Sequence, residues 1–420
     1  MPLELTPEDR AALNGSRGEA LRLATRLVCA MAEVMGAEHL LDVEGAHIDG
    51  CLYHGPAGLD FARRLLEGGG RVAVPTTLNV SSLDLLHPEL VRLDPATTVE
   101  ARALMDAYVA MGCRPTWTCA PYQLPDPPAF GTHVAWAESN AIVFCNSVLG
   151  ARTERYGDFI DICCALTGRA PAAGLHLDAG RRAGAVFRLE GVPATSLEDP
   201  AGFAAVGHVV GEATGTLIPA LTGLPPHATE DHLKALGAAA AASGSVAMFH
   251  AVGITPEAPT LADATGASPP QIDVTLGADD LRAARDELGT VPPGAPLGAV
   301  SVGTPHCSLA ELERLASLTE GLGMGVPFYA NTGRDVLAEA ERRGVTASLS
   351  RAGITLITDT CTYITPVIRG TDGPVMTNSG KWAWYAPANL GFAVAFGTLT
   401  ECVNSGVEGR LVRDEGSWGG

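Results

Sequence analysis

The chain has 420 residues and a net charge of −19, from 28 basic and 47 acidic side chains. A chain of this length exceeds the usual size of one domain, so we expect two or three domains and a large core. The negative charge, without any local basic patch, disfavours binding to nucleic acid or to anionic membranes.

Neither export nor membrane insertion is indicated by the sequence. The start, MPLELTPEDRAALNG, is acidic where a secretory signal would be basic and then apolar. The most apolar window (236–254) is rich in alanine, which predicts a buried helix and strand and no membrane span. Ten cysteines without a Cys-x-x-Cys pair favour reduced thiols over disulfides or a zinc finger, although distant ligands can still converge. We therefore expect a cytoplasmic protein.

The first part of the chain combines scaffold elements with one polar turn. Residues 9–45 place apolar side chains at helical spacing, with Gly36 as the expected stop. RVAVPTTLNV (71–80) is a β-branched run followed by polar residues. It predicts a strand that delivers a site loop, with Thr76 and Asn79 as candidate binding residues.

Cys119 lies in the segment TWTCAPYQLP (116–125). Proline stiffens the turn after Ala120, and Trp117 and Tyr122 can shield the thiol from water. The thiol should therefore be held in place. Because buried cysteine also serves as a small apolar filler, this segment alone favours a functional and a packing role equally.

The middle of the chain contains a second candidate site segment. In AWAESNAIVFCNSVLGARTERYGD (135–158), the apolar run Ala141 to Cys145 predicts a short strand, and polar residues collect where it stops. Thr229 is expected to cap a following helix. Residues 255–270, rich in proline, alanine and threonine, are interpreted as a loop or domain junction.

The last third alternates apolar strands with helices. The predicted strands lie in residues 297–303, 326–332, 354–361 and 392–397, and capping boxes at Ser308/Glu311 and Thr398/Glu401 predict helix starts. This alternation indicates a mostly parallel α/β sheet covered on both faces. Ligands bind beyond the carboxyl ends of such strands, where Cys361 and Cys402 fall.

Several residues of this region suit a chemical site, and each also has a structural interpretation. We expect Cys361 to be exposed at a strand end, and the thiol of Cys402, in the first turn of a helix, to be made more acidic by the helix dipole. Packing is the alternative for both. Lys381 lies in TNSGKWAWYAP and is followed by aromatic residues. This setting suits a lysine that binds an anion, and the alternative is an ordinary solvated loop. His306 alone is more typical of capping or packing.

Other common enzyme classes lack their sequence signatures. The chain has neither the glycine spacing of a Rossmann or Walker loop nor a Gly-x-Ser-x-Gly elbow. Nucleotide binding and serine hydrolysis are therefore not supported.

A long, ordered set of segments resembles the catalytic large subunit of aconitase X. The segments are RVAVPTTLNV, MGCRPTWTCAPY, GTHVAWAESNAIVFCNSVLGARTERYGD, ALTGRAPAAGLHL, VGITPEA, GTPHCSLAEL, TDTCTYI, NSGKWAWYAP and TECVNSGVEG, spanning about residues 70–410. Two positions depart from the expected pattern, Gly180 at an asparagine position and Trp384 at a histidine position.

The resemblance implies an aconitase-like α/β fold, with several domains of mostly parallel sheets around a central cleft. We expect a helical segment at 1–70, a catalytic α/β region at 71–260 and an α/β region at 261–420 carrying two of the cysteines. The resemblance also implies an iron-dependent hydro-lyase with an iron–sulfur cluster of uncertain nuclearity, or a mononuclear iron. The implied metal ligands are Cys119, Cys361 and Cys402; the implied catalytic residues are Ser147, Arg152 and Lys381; the implied substrate-binding residues are Thr76, Asn79, Asn140, Asn146, Thr153, Arg155, His306 and Ser379.

Such chemistry fits these residue types. Removing water from a hydroxy acid needs a Lewis acid for the leaving hydroxide, which iron with an open coordination site provides. Arginine and lysine hold the carboxylate. Aconitase-type enzymes take a serine base from a small swivelling domain, which we do not find in this chain, so the resemblance implies a separate small subunit.

The substrate is expected to be cis-3-hydroxy-L-proline, dehydrated to 1-pyrroline-2-carboxylate. The alternatives are 5-phosphomevalonate or another hydroxy acid. Two other classes stay open, namely an iron-sensing binding protein without turnover and a structural zinc protein. The acidic charge disfavours an RNA-binding version of the sensor.

Overall fold

The computed structural model describes residues 3–369 and 372–419 and divides the chain into two compact units. The first unit comprises Met1–Leu83 and Leu93–Arg182, and the second comprises Asp84–Arg92 and Ala183–Gly420. No helix within the described ranges is long and apolar enough to cross a membrane.

The first unit surrounds two small sheets with helices. Its strands β2, β3 and β4 form a parallel sheet in the order β3-β2-β4, and β1 and β5 pair antiparallel. The elements in chain order are α1 (Pro7–Leu13), α2 (Glu19–Val34), β1 (Leu40–Asp42), β2 (Ala46–Ile48), α3 (Pro56–Glu67), β3 (Thr76–Leu78), α4 (Pro95–Ala110), β4 (Ala135–Trp136), α5 (Ser139–Phe144), α6 (Ile160–Thr167) and β5 (Arg169–Pro171).

The second unit contains two parallel sheets. One sheet has the order β8-β7-β6-β9, and its elements are β6 (Ala185–Leu189), α7 (Pro200–Thr214), β7 (Pro219–Thr222), α8 (Glu230–Ser243), β8 (His250–Ala251), α9 (Leu261–Thr265), β9 (Ile272–Leu276) and α10 (Ala278–Leu288). The other has the order β12-β11-β10-β13-β14, and its elements are β10 (Ala299–Cys307), α11 (Leu309–Leu318), β11 (Phe328–Thr332), α12 (Arg334–Arg342), α13 (Val345–Ala352), β12 (Ile354–Ile357), β13 (Val375–Thr377), α14 (Gly380–Leu390), β14 (Val394–Phe396) and α15 (Leu399–Glu408).

The predicted α/β class with mostly parallel sheets is confirmed. Helices connect the strands of the five-stranded sheet, and β10 is buried along its whole length, as expected for a parallel sheet covered on both faces. The capping boxes at Ser308 and Thr398 and the N-cap at Thr229 are present as predicted. These short-range signals are reliable because the capping side chain bonds to an amide three residues away.

One expectation about local structure is wrong, and two are correct for only part of the segment. The run Ala141 to Cys145 is not a strand but helix α5 and the start of a π-helical turn, because the Glu138 carboxylate accepts a hydrogen bond from the Ala141 amide (2.8 Å) and caps the helix. Only Thr76–Leu78 of the run 71–80 is a strand. The segment 255–270 is not all loop, since Thr260 and Asp263 form a capping box that starts α9.

Candidate metal and substrate site

The carboxyl edge of the five-stranded sheet brings His306 and Cys361 together. His306 lies at the end of β10, and Cys361 follows β12, two strands away in the same sheet. A ring nitrogen of His306 and the Sγ of Cys361 lie within 4.8 Å of each other, and both side chains are 0 % exposed. The expectation that Cys361 is exposed is therefore wrong, because the whole loop segment from Thr358 to Thr362 is buried.

Two buried aspartates fix the loop that carries Cys361. Asp84 accepts hydrogen bonds from the amide and hydroxyl of Thr358, at 2.9 and 3.0 Å. Asp359 has a φ of 60° and accepts two 2.6 Å hydrogen bonds from Arg334, as well as one from the Leu85 amide at 3.0 Å. A positive φ costs free energy in a residue with a side chain, so these contacts hold Asp359 in that conformation.

Polar side chains also surround the hydroxyl of Thr362, the residue that follows Cys361. This hydroxyl is 2.6 Å from the Ser301 hydroxyl and accepts hydrogen bonds from Trp382 Nε1 (3.1 Å) and Asn331 Nδ2 (3.2 Å). Asn331 also donates to the Val302 carbonyl at 2.8 Å. Side chains from two strands and one helix therefore fix the backbone next to Cys361.

Two glycines allow close backbone approaches next to predicted site segments. At Gly303, with φ 84°, a Cβ atom would lie 2.3 Å from the Asn331 carbonyl oxygen and 2.7 Å from Cys307 Sγ. At Gly180, the position where we expected asparagine, a Cβ would lie 2.1 Å from the Gly174 carbonyl oxygen. Neither position accommodates a side chain without a backbone shift.

Ser379 and Lys381 lie beside this edge at the start of α14. Ser379 accepts a hydrogen bond from the Trp382 amide at 3.0 Å and donates to the Thr304 carbonyl. The Lys381 side chain is 3 % exposed, and its Nζ lies 5.8 Å from the centre of the Tyr363 ring. Both residues line a small cavity of about 30 Å³, which also includes Thr304 and Pro305. A buried ammonium next to an aromatic ring is suited to bind an anion.

A second buried ammonium supports the backbone of His306. Lys234 Nζ lies 2.8 Å from Asp231, 3.4 Å from the His306 carbonyl oxygen and in contact with Glu311. Burial disfavours the charge on Lys234, but the carboxylates of Glu311 and Asp231 outweigh it and raise the lysine pKa. Because the three side chains satisfy one another, we interpret this cluster as structural.

Cys402 occupies a different environment on the same sheet. Its side chain is 0 % exposed and belongs to the apolar cluster that includes Val300, Met376 and Ala395. Burial, together with Glu401 and Asp199, raises the pKa of the Cys402 thiol well above its usual value, despite the opposite influence of Arg413. The expectation of a more acidic thiol is therefore wrong, because desolvation outweighs the position of Cys402 in the first turn of α15.

In the first unit, Cys119 is fixed through its backbone. Its side chain is buried, and its carbonyl oxygen accepts a hydrogen bond from Asn140 Nδ2 at 2.7 Å. Asn140 in turn accepts one from the Tyr122 hydroxyl at 2.7 Å, and Tyr122 stacks on Phe144 with ring centres 3.8 Å apart. Cys119, Trp117 and Tyr122 are all buried, as expected for a thiol that is shielded from water.

A buried arginine that sequence reasoning missed organises the second predicted segment. Arg181 donates to the side chain and carbonyl of Asn146, at 3.1 and 2.9 Å, and to the carbonyls of Leu175 and Ala151. Asn146 also closes a loop on Thr153, through hydrogen bonds of 3.0 and 2.9 Å. Arg181 was missed because it lies 35 residues from Asn146 in the sequence.

The remaining predicted residues of the first unit differ in exposure. Arg152 donates to the His176 carbonyl at 3.0 Å and contacts Asp178. Burial and then the nearby His133 and arginines lower the pKa of His176 to about 3. Arg155 is exposed and Ser147 is buried.

Thr76 and Asn79 lie at opposite ends of β3. Thr76, at its start, donates to the Val74 carbonyl at 2.8 Å, and Asn79 follows its end and contacts Asp49. The strand therefore separates these two predicted binding residues. The roles assigned from the sequence to the residues of the first unit stay predictions.

The donor set at the sheet edge fits iron. His306 and Cys361 offer a nitrogen and a sulfur donor, and both are ligand types that iron takes in proteins. Both donors are buried, which limits solvent access to a bound ion. The sequence assigned His306 to substrate binding, and its place beside Cys361 makes it a candidate ligand as well.

Family models of aconitase X match nearly the whole chain. The first-domain model matches residues 2–179, the second-domain model 183–286 and the third-domain model 297–408. Among solved structures, the holo form of Thermococcus kodakaraensis aconitase X superposes with a TM-score of 0.86 at 32 % identity, covering 96 % of this chain and 100 % of that chain.

Curated relatives fall into two groups of dehydratases. Cis-3-hydroxy-L-proline dehydratases from Pseudomonas aeruginosa and Hypocrea jecorina are 44 % and 41 % identical, over 98 % and 97 % of this chain and 71 % and 69 % of their own lengths. The phosphomevalonate dehydratase large subunit of Methanosarcina mazei is 33 % identical, over 97 % of this chain and 98 % of its own length.

Proposed function

Because the chain belongs to the aconitase X family, we propose that it is the large subunit of an iron-dependent hydro-lyase that dehydrates cis-3-hydroxy-L-proline. The observation that carries this substrate is the difference in identity, 44 % and 41 % to two cis-3-hydroxy-L-proline dehydratases against 33 % to a phosphomevalonate dehydratase large subunit. The family resemblance read from the sequence motifs is confirmed.

The reaction removes a proton from the carbon beside the carboxylate and hydroxide from the neighbouring carbon. The enamine formed by this elimination rearranges to 1-pyrroline-2-carboxylate. Bound iron would supply Lewis acidity for the departure of hydroxide, which is a poor leaving group. The chain itself must hold the ligands, bind the carboxylate and exclude bulk water.

We assign the thiolate ligands to Cys119, Cys361 and Cys402, as the resemblance implies. Cys361 has the strongest physical support, since its loop is fixed on both sides and His306 lies beside it. Cys119 is supported by its buried, immobilised position. Cys402 is assigned on the resemblance alone, since burial disfavours its thiolate in the absence of a metal.

Lys381 is our choice for binding the substrate carboxylate. Its buried ammonium beside Tyr363 would gain more from an anion than a hydrated surface lysine. We assign Ser379, Arg152 and Arg155 to the same task and Ser147 to catalysis, on the resemblance alone. Thr76, Asn79, Asn140, Asn146 and Thr153 then shape the surrounding segments.

A small subunit would complete the enzyme by supplying the swivelling domain and a serine base. In support, the chain covers 98 % of the Methanosarcina mazei large subunit but 71 % of the Pseudomonas aeruginosa dehydratase. The rest of the latter protein would then correspond to the small subunit. All ten cysteines are free thiols, which is in keeping with a reducing compartment such as the cytoplasm.

Parallel turnover assays test the substrate. The chain is purified without oxygen together with the small subunit and given either cis-3-hydroxy-L-proline or 5-phosphomevalonate. We expect dehydration of the hydroxyproline alone. Turnover of 5-phosphomevalonate alone would indicate a phosphomevalonate dehydratase instead. Iron binding without turnover of either compound would favour an iron-sensing binding protein.

A further inference from the structure

His208 is a buried histidine that the proposed dehydratase reaction does not use. It lies on α7 and is 1 % exposed, and its buried Nε2 atom has no hydrogen-bond partner among the residues that the structure describes. Leaving a buried polar atom without a partner costs free energy, so such an atom requires an explanation.

Two carboxylates converge on this nitrogen. Glu212, one helical turn along α7, places an oxygen 3.8 Å from His208 Nε2, and Glu287 on α10 places one 3.3 Å away. The three ligand atoms all lie within 4.8 Å of one another. Although Glu287 is within reach, no hydrogen bond forms with His208 Nε2, so the contact is not that of a well-aligned imidazolium ion pair.

The 3.3 Å separation equals a ligand–ligand distance in the first coordination sphere of a small divalent cation, and the 3.8 Å separation is slightly longer than such a distance. For bond lengths of 2.0–2.2 Å, the ligands of a tetrahedral ion lie about 3.3–3.6 Å apart. One imidazole and two carboxylates form a common donor set for zinc and neighbouring transition metals. Glu287 also lines a cavity of about 370 Å³ next to Trp384, which leaves room for a water ligand.

From this geometry we propose that His208, Glu212 and Glu287 form a binding site for a divalent transition-metal ion of the zinc class. The ion would join α7 to α10, two helices that pack against each other in the second unit. Trp384 lies against the histidine, with ring centres 5.5 Å apart, and shields one side of the site. The site uses none of the residues assigned to the iron centre.

Metal titration of the full-length chain tests the site. After chelator treatment, Zn²⁺ binding is measured by calorimetry, and Co²⁺ binding by visible absorption. Co²⁺ held by nitrogen and oxygen ligands shows ligand-field bands without the thiolate charge-transfer band that a cysteine site gives. We expect each chain to bind one Co²⁺ ion through nitrogen and oxygen ligands.

Variants assign the bound ion to these residues. Glu287→Gln and Glu212→Gln change exposed side chains and should each weaken Zn²⁺ binding by more than about tenfold, the lower bound typical of losing a supporting partner. Glu341→Gln, an exposed control on α12, should bind like wild type. Unchanged affinity in Glu287→Gln, or Co²⁺ spectra that show only thiolate-bound ion, would overturn the proposal. His208→Gln, which changes a buried residue, is a supporting variant only.

Discussion

Cys361 and Cys402 hold equivalent places in the sequence pattern, each near the carboxyl end of a strand in the same parallel sheet, but their surroundings differ. Cys361 follows two residues, Asp359 and Thr360, that are buried and polar, and hydrogen bonds fix the loop on both sides. Cys402 is packed among apolar side chains, and burial raises the pKa of its thiol.

The difference shows that position at a sheet edge does not by itself define a metal ligand. A thiolate ligand is charged, so the free energy of its burial must be offset by hydrogen bonds or by the metal. Around Cys361 the protein supplies a polar frame before any metal binds. For Cys402 the bound iron would offset most of the cost, with smaller contributions from the helix amides and Arg413.

The largest effect is expected from Cys361→Ser. A serine hydroxyl is a much poorer iron ligand than a thiolate, so dehydration by the complex with the small subunit should fall below detection. Turnover of cis-3-hydroxy-L-proline by anaerobically purified protein is the measurement. Cys29→Ser is the matched control, a buried cysteine of α2 that should keep wild-type activity.

Cys402→Ser should also abolish turnover, with an additional loss of stability. The substitution places a hydroxyl in an apolar cluster, which we expect to cost about 1–3 kcal/mol in the free energy of unfolding. Denaturant unfolding and the dehydration assay are run on the same sample. A less stable variant that retains full activity would show that Cys402 only packs, and would favour His306 as the third ligand.

Arg334→Gln tests the frame around Cys361 without touching a ligand. It removes two charge-assisted hydrogen bonds from the buried Asp359, which should destabilise the protein by about 2 kcal/mol and weaken iron binding by about 10–100-fold. Arg343→Gln is the control, because that arginine is half exposed and pairs with Glu339 and Glu313 at the surface. Equal iron retention in both variants would mean that the loop is fixed without Arg334.

The smallest effect is expected from Thr398→Ala at the start of the Cys402 helix. The substitution removes the hydroxyl that caps α15 and should cost about 1 kcal/mol in thermal or denaturant unfolding. Iron content should stay at the wild-type level, because the apolar packing of the helix holds Cys402 in place. If iron is lost, then the position of Cys402 depends on the cap and not on the core.

The sequence predicts most of the architecture because its signals are local. Capping boxes at Ser308 and Thr398 act over three residues, and the alternation of strands and helices indicates a parallel sheet without any knowledge of long-range contacts. The apolar run Ala141 to Cys145 was misread as a strand because short apolar runs fit a buried helix equally well.

The parts of the site that sequence analysis missed depend on distant contacts. Asp84 accepts a hydrogen bond from Thr358, which lies 274 residues later in the sequence. Glu287 on α10 lies close to His208 on α7, although several strands and helices separate the two residues in the sequence. The positive φ of Asp359 is likewise supported by contacts with Arg334 and Leu85, which are distant in the sequence. The apolar environment of Cys402 could not be predicted from the sequence either, since its neighbours come from several strands.

The most direct measurement of the central claim is the iron content of the anaerobically purified chain, determined side by side for wild type, Cys361→Ser and Cys29→Ser. We expect at least one iron per chain in the wild type and in Cys29→Ser, and only background iron in Cys361→Ser. Wild-type iron content in Cys361→Ser would contradict an iron centre at this edge of the sheet.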